Sequence, residues 1–478
     1  MVTSCPEVPR SSTFLSRMQN ATVAIVGGGL AGLAAGCALA EAGFRVTLFE
    51  RRPFVGGRAS SYEHPGTGEI VDNCQHVLLG CCTNLIDFYR RTGVEKKIRW
   101  YDKLTFLEPG GRASVIGSSR LPAPLHTAPA FLRARCLDFS DKLAISRAMM
   151  ALAPALPQDR GEPFLDWLKR HGQTEGAIQR FWRTILVSAL NEDLDRVSVP
   201  YAAQVVRESF LKSAAAGRMG IPTVPLTSLY SAAGDYIRAR GGEVRFRAAV
   251  ESFVNEPCAV RLKANGEEQV FDYLVLAVSF DVLSRLLPDG EASAALVQKL
   301  GQFTSSPITG IHLWFDREIS DLDHAVLLDR TIQWMFHKSR LIDTRDKGNG
   351  SYVELVVSSS RSLVEKSKAE IVELALREAR EFFPTARDAA LVKSTVIKEV
   401  NATYSPQPGI DEWRPQPETA WPRVFLAGDW TATKWPATME GAVRSGYLGA
   451  EAVVRASGGK SRFLAADLPG EGFMRFSR

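Results

Sequence analysis

The chain has 478 residues, 45% hydrophobic and 23% charged, with a formal net charge of +5. That length exceeds one ordinary core and implies two interleaved domains, and the composition is that of a soluble globular protein. No apolar run approaches the ~20 residues that span a bilayer, and no basic patch interleaves with aromatics, which excludes nucleic acid as a partner.

Residues 1–20, with Pro6, Pro9, Arg10 and Arg17 and no apolar core, read as a short disordered tail without a signal peptide. The seven cysteines are odd in number and show no CxxC spacing. That usage points to a reducing cytoplasm and away from a metal site, with Cys37 in the core.

An apolar run at 23–26, a glycine-rich turn, an Ala-rich helix and a second apolar run ending in Glu50 describe a βαβ unit. Gly27, Gly29 and Gly32 stand at the dinucleotide-binding spacing. Gly27 permits the tight turn, Gly29 admits a pyrophosphate against bare backbone, and Gly32 lets the helix lie close to the sheet. The helix start at Leu30 and Ala31 offers unpaired N–H groups and a positive dipole end to the phosphates. Glu50 suits a ribose with both hydroxyls free, so the nucleotide is FAD or NAD rather than NADP. Arg51 and then Gly56-Gly57-Arg58 follow as a second phosphate-handling element, the arginine supplying charge-assisted hydrogen bonds.

The fingerprint with Gly56-Gly57-Arg58 resembles the flavoprotein superfamily of amine oxidases, protoporphyrinogen oxidase and phytoene-type desaturases. In that superfamily the dinucleotide is FAD. The last cysteine is Cys258, so no C-terminal thiol is present to link the flavin covalently. Within the superfamily, Asp72-Asn73-Cys74-Gln75-His76-Val77-Leu78-Leu79-Gly80 is similar to the hydroxysqualene dehydroxylases. The resemblance places Gln75 and His76 beside the isoalloxazine ring, with Cys74 where glycine is common. His76 reads equally as a structural histidine and as a proton donor.

The basic group Arg90, Arg91, Lys96, Lys97, Arg99 and Lys103 reads as a solvated helix end, with acidic phospholipid headgroups as the alternative. Short strands are expected over 104–120, turning at Pro109-Gly110-Gly111. Residues 121–217 read as a helical cap that packs a core and walls an apolar tunnel at a membrane surface. Pro122, Pro124 and Pro129 mark a mobile tunnel mouth, and Asn191-Glu192-Asp193 is expected to cap a helix. A helix through Ile237, a Gly-Gly turn and a strand follow, and the resemblance assigns the Val250 backbone to adenine. The apolar run 271–278 returns as a buried parallel strand. Strands at 308–316 and 352–358 and an amphipathic helix at 363–383 belong to a second sheet.

The last block, 424–446, ends a strand in Gly428-Asp429 and starts a helix near Thr438. Asp429 can accept from a ribityl hydroxyl, and Thr438, Met439 and Ala442 bring a helix N-terminus to the flavin N1–C2=O region. NAD enzymes have no use for this second element, which decides for FAD.

The expected fold is α/β, a Rossmann-type FAD-binding domain with a discontinuous α+β substrate domain and a helical cap, like amine oxidase and p-hydroxybenzoate hydroxylase. The boundaries are 21–95, 222–300 and 415–456 for FAD, 96–221 and 301–414 for substrate, and 457–478 as a C-terminal tail. The resemblance implies that a C30 isoprenoid alcohol loses an allylic hydroxyl and takes hydride from reduced FAD, giving squalene in hopanoid biosynthesis. His76, Asp72 and Glu440 are candidates for the proton that the leaving hydroxyl takes. It also implies an electron donor for FAD, contact with isoprenoid synthases, and a cytoplasmic enzyme peripheral on the inner membrane face. A carotenoid-type desaturase is the first alternative. A flavin amine oxidase is the second, disfavoured by Thr438 where that group carries an aromatic.

Overall fold

A computed structural model describes residues 21–65, 68–342 and 350–476. The tail expected at 1–20 and the last two residues of the C-terminal tail lie outside the described residues.

The βαβ unit forms as expected: strand Thr22–Val26, helix Leu30–Glu41 and strand Arg45–Glu50. They belong to a five-stranded parallel sheet ordered Glu243–Phe246, Arg45–Glu50, Thr22–Val26, Tyr273–Leu276 and Val424–Leu426. Its central strands are apolar because helices cover one face and the antiparallel strands between Val250 and Phe271 cover the other, leaving no solvated side to alternate towards. Two glycines set the helix packing. A Cβ on Gly32 would stand 1.9 Å from the Gly27 carbonyl oxygen, and one on Gly446 would stand 2.3 Å from that of Ala31. The C-terminal helix Met439–Ala456 thus lies directly on the first helix, joining the two ends of the chain. Cys37 is buried between them and the 226–238 helix, its thiol on the Ala233 carbonyl.

The second half is a seven-stranded sheet ordered Leu391–Tyr404, Ser305–Phe315, Ser351–Ser358, Trp334–His337, His324–Leu327, Lys103–Leu107 and Ala113–Gly117. Residues 363–383 are not one helix: Arg361–Val364 and Lys368–Phe382 are separated, and Ser367 with Glu370 forms a capping box at the break. Val250 begins a strand of a separate three-stranded antiparallel sheet, outside the parallel one.

The cap is helical from Ala128 to Leu211, around a core holding Phe164, Trp167, Phe181 and Trp182. Asn191-Glu192-Asp193 does more than cap. Asn191 sits at a φ of 52° and its amide nitrogen donates to the Ser306 carbonyl and to Thr403. Glu192 is fully buried and takes both Arg361 guanidinium nitrogens, at 2.6 and 2.7 Å. The triplet therefore ties the cap to the seven-stranded sheet, and burial between two elements is what makes a local cap into a cross-domain anchor. Cys37, Cys74, Cys81, Cys82 and Cys136 are free thiols, whereas Cys258 is in a disulfide, a departure from the reduced set expected.

Candidate functional site

Glu50 is buried at the end of its strand, where one carboxylate oxygen accepts from the Gly28 N–H at 2.7 Å and the other from the Arg52 N–H at 2.8 Å. Each oxygen keeps a lone pair for a ribose hydroxyl. Gly29 caps the following helix with extended backbone and no side-chain partner, so the N–H groups beside Leu30 and Ala31 point outward as an anion site. The second glycine element folds onto the first: the Gly56 N–H donates to the Gly28 carbonyl at 2.8 Å. Gly57, at a φ of +61°, comes so close that a Cβ there would lie 3.0 Å from the Gly29 Cα. Arg52, rather than the exposed Arg51, reaches this loop, donating to the Gly57 carbonyl at 3.1 Å.

Arg58 joins the ends of the chain. Its guanidinium donates to Asp429 at 2.7 Å and to the Ala402 carbonyl at 2.7 Å. The Ala248 N–H donates to the Glu50 carbonyl at 2.9 Å, which brings Val250 to the Glu50 end of the sheet. Gly428 donates its N–H to Ser445, and a Cβ on it would meet the Trp430 indole nitrogen at 2.3 Å. Thr438 caps the last helix by accepting from the Gly441 N–H at 3.1 Å, leaving Thr438, Met439 and Ala442 half-buried along its first turn. Gly27, Gly29, Gly32, Glu50, Gly56, Gly57, Arg58, Gly428 and Asp429 are thus brought to one continuous cradle. Its backbone donors, diol acceptor and arginine suit an adenine dinucleotide.

The segment 72–76 runs between this cradle and the seven-stranded sheet. Asn73 donates its N–H to the Ser60 carbonyl at 2.9 Å and its side-chain amide to the Arg58 carbonyl. Asp72 is buried: one oxygen accepts from Ser61 and from the Leu226 N–H, and the other from the Lys338 ammonium at 2.7 Å. Burial alone would raise its pKa. The Lys338 charge and hydrogen bond, with Ser61 and Leu226, outweigh that and hold it below the usual carboxylate range. So held, Asp72 has no proton to give. His76 is half-buried, its Nδ1 lies 2.8 Å from the Cys74 carbonyl, and burial lowers its pKa. The carbonyl requires Nδ1 to donate, which leaves Nε2 as an acceptor in the neutral ring. Glu440 sits apart, with four donors on its carboxylate: the N–H groups of Asn84 and Leu85, the Asn84 amide and Arg444. It caps the Thr83–Arg91 helix from outside, a role that its place at a helix start did not disclose.

Two residues absent from the sequence reading share the Asp72 environment. Lys338, 3% exposed, also donates to the Gln75 side-chain carbonyl at 2.8 Å and stands 3.4 Å from Glu354. Glu354 had one visible signal, a carboxylate interrupting the apolar strand Ser351–Ser358. Lys338 had none, because Asp72 and Gln75, the two groups it bonds at 2.7 and 2.8 Å, are more than 260 residues away. Arg414, also unforeseen, donates to the Asp429 and Trp435 carbonyls and to Thr433, fixing the C-terminal loop.

Residues 30–454 match the family model described as flavin containing amine oxidoreductase. The chain is 27% identical over 460 residues to 15-cis-phytoene desaturase from Synechococcus elongatus, covering 90% of this chain and 95% of that protein. It is 25% identical over 476 residues to zeta-carotene desaturase from Synechocystis, covering 90% and 97%. Among solved structures it is similar to an oxidoreductase from Methanosarcina mazei, with a TM-score of 0.70 at 18% identity over 91% of this chain and all of that one. Cyclohexylamine oxidase from Brevibacterium oxydans is similar at a TM-score of 0.65 and 17% identity, over 92% and 99%. With its cradle built from both ends and its sequence matched over nearly its whole length, the chain belongs to the flavin containing amine oxidoreductases, and its cofactor is FAD.

Proposed function

We propose that this FAD-dependent oxidoreductase exchanges hydride with a long polyisoprenoid chain. The observation that carries the reading is its similarity, end to end, to proteins named phytoene and zeta-carotene desaturases. The flavin supplies a two-electron hydride carrier. Glu50, Arg58, Asp429 and the two helix N-termini hold and orient it, and the apolar cap excludes water from a hydrocarbon substrate.

Two directions of transfer have separate support. The names of the relatives favour desaturation, in which hydride passes from substrate to FAD. The stretch from Asp72 to Gly80 resembles the hydroxysqualene dehydroxylases and favours the reverse, reductive removal of the hydroxyl to give squalene. One experiment separates them. Photoreduced protein mixed anaerobically with hydroxysqualene reoxidises and yields squalene in the dehydroxylation reading. Bleaching of the oxidised protein by phytoene, with no response to hydroxysqualene, assigns desaturation instead. Bleaching by an amine and by neither isoprenoid overturns the proposal.

The cap supports docking on an anionic lipid surface. On helix Phe139–Leu152, Ala144, Ile145, Ala148 and Leu152 face the core, while Phe139, Leu143 and Met150 share the opposite face in solvent. Phe139 is 78% exposed, Met150 67% and the nearby Leu132 62%. Arg133, Arg135, Lys142 and Arg147 lie among them, the pairing of apolar and basic groups that an anionic interface takes up. No helix among the described residues is long and apolar enough to cross a membrane. Co-sedimentation with anionic vesicles, lost on neutral ones, is the expected result. Concentration-dependent dimerisation without vesicle binding assigns the stripe to a second copy instead.

A further inference from the structure

The buried charges around Lys338 are more than the fold requires. Lys338 follows strand Trp334–His337 and lies against Asp72, Gln75 and Glu354 at 2.7, 2.8 and 3.4 Å. Glu354 is wholly buried, and its carboxyl faces the Gln75 backbone N–H and the shared Lys338 ammonium with no well-formed hydrogen bond to either. A carboxylate in that position would be exceptional, since buried charges elsewhere in the molecule have several donors. One ammonium serves two carboxyl groups, so the group carries a surplus negative charge whenever both are ionised.

The surroundings of Glu354 are known on every side. His312 stands directly opposite it on strand Ser305–Phe315 and Phe336 opposite it on Trp334–His337. Tyr352 precedes it on the same face and bonds the His312 Nδ1, and the His312 ring also faces the Asp72 backbone. Cys74 and Asp72 face it from the 72–76 segment, with Lys338 between. Burial pushes the Glu354 carboxyl up to about 7, Lys338 opposing the rise and Asp72 adding to it. Burial lowers the His312 pKa to about 3, with Lys338 adding to the fall, so His312 stays neutral. The 72–76 segment itself is bonded to the phosphate loop through Asn73, so the cluster sits directly behind the cofactor cradle.

We propose that Glu354 holds the proton exchanged in each hydride transfer, and that Lys338 is a positioning residue that balances its charge and anchors residues 72–76. The proposal rests on the hydride-transfer reading above. Dehydroxylation breaks a C–O bond, adds hydride to carbon and needs one proton so that the hydroxyl departs as water. Desaturation breaks two C–H bonds: one leaves as hydride, and the electron pair of the other forms the new C=C bond as its proton leaves. Either direction therefore moves one proton between the substrate and the protein side. Glu354 takes or gives it by passing between carboxyl and carboxylate beside an ammonium that is already in place.

The test uses the FAD-loaded protein and two substitutions, Glu354→Gln and Lys338→Gln. The midpoint potential of the flavin, measured from pH 5 to 9 without any substrate, is expected to change slope near pH 7 in the wild type. Glu354→Gln displaces that break, leaving only the part that belongs to the N1 proton of the reduced flavin. Lys338→Gln slows single-turnover hydride transfer by about tenfold or more at unchanged flavin content, because it leaves a buried carboxyl pair uncompensated. Glu354→Gln, which cannot exchange a proton, slows transfer as well, and Lys338→Gln moves the break in the potential to higher pH because Glu354 loses the charge that opposes its rise, which a merely structural lysine would not show. A potential–pH slope unaffected by Glu354→Gln overturns the proposal, as does single-turnover hydride transfer that Glu354→Gln leaves at the wild-type rate. If Lys338→Gln does not fold, the slope comparison decides. If no isoprenoid turns over, the substrate reading fails while the potential still reports on Glu354.

Discussion

Two buried glutamates, one in each half of the molecule, are treated in opposite ways. Glu50 ends a parallel strand where the chain turns back over it, and backbone N–H groups of Gly28 and Arg52 occupy one lone pair on each oxygen. Glu354 lies mid-strand in the antiparallel sheet, where the N–H groups of the flanking strands are committed to the ladder and the Lys338 ammonium, aided by the Gln75 N–H, is what opposes its burial. Backbone donors fix a carboxylate in place as an acceptor. A buried carboxyl opposed chiefly by one shared ammonium is free to gain and lose a proton. The first arrangement suits a binding group and the second suits a group that changes state.

The comparison breaks most severely at the glycine cradle. Gly32→Val should abolish FAD binding and most soluble expression, because even a Cβ would stand 1.9 Å from the Gly27 carbonyl oxygen; flavin absorbance after purification reads it. Next, Glu50→Ala leaves the Gly28 and Arg52 N–H groups unpaired and removes the ribose acceptor. A cost of about 3 kcal/mol, roughly a hundredfold weaker FAD binding, is expected from titration of the deflavinated protein. An unchanged dissociation constant would remove Glu50 from the binding side of the comparison.

The third test concerns pH. The Glu354 carboxyl is raised from 4.5 to about 7 in the folded protein. Its contribution is therefore fully present below pH ~4.5 and is lost as pH rises through about 7, on the order of 3 kcal/mol in total. Asp72, held below its usual value, works oppositely: its contribution is present above the ordinary carboxylate pKa and lost on acidification. Thermal melts from pH 5 to 8 should fall in the wild type more than in Glu354→Gln, and parallel curves would show that Glu354 does not titrate. The smallest effect is expected at the cap, where Phe139→Ser should weaken binding to anionic vesicles by about tenfold while leaving the melting temperature within a degree or two, because the ring is exposed.

The cradle was legible because each part of it is local. Gly27, Gly29, Gly32 and Glu50 are spaced by one turn, one helix and one strand, and those distances follow from backbone geometry. Arg58 reads from the sequence as a pyrophosphate group and Asp429 as a ribityl acceptor, and their direct ion pair across 371 residues is not visible there. The three proton-donor candidates fared differently. Asp72 and Glu440 are both saturated with donors, which no local pattern announces, and the acid at residue 354 was passed over inside an apolar run.

By itself, then, the sequence determined the βαβ unit, its glycine turns, the acid that ends the second strand and the C-terminal strand–helix element, all consequences of short-range spacing acting through strand and helix periodicity. Only the tertiary structure decided which carboxyl groups are locked and which can titrate. Ionisation in the interior depends on the donors and charges that other elements bring within ~4 Å, and those arrive from segments hundreds of residues away.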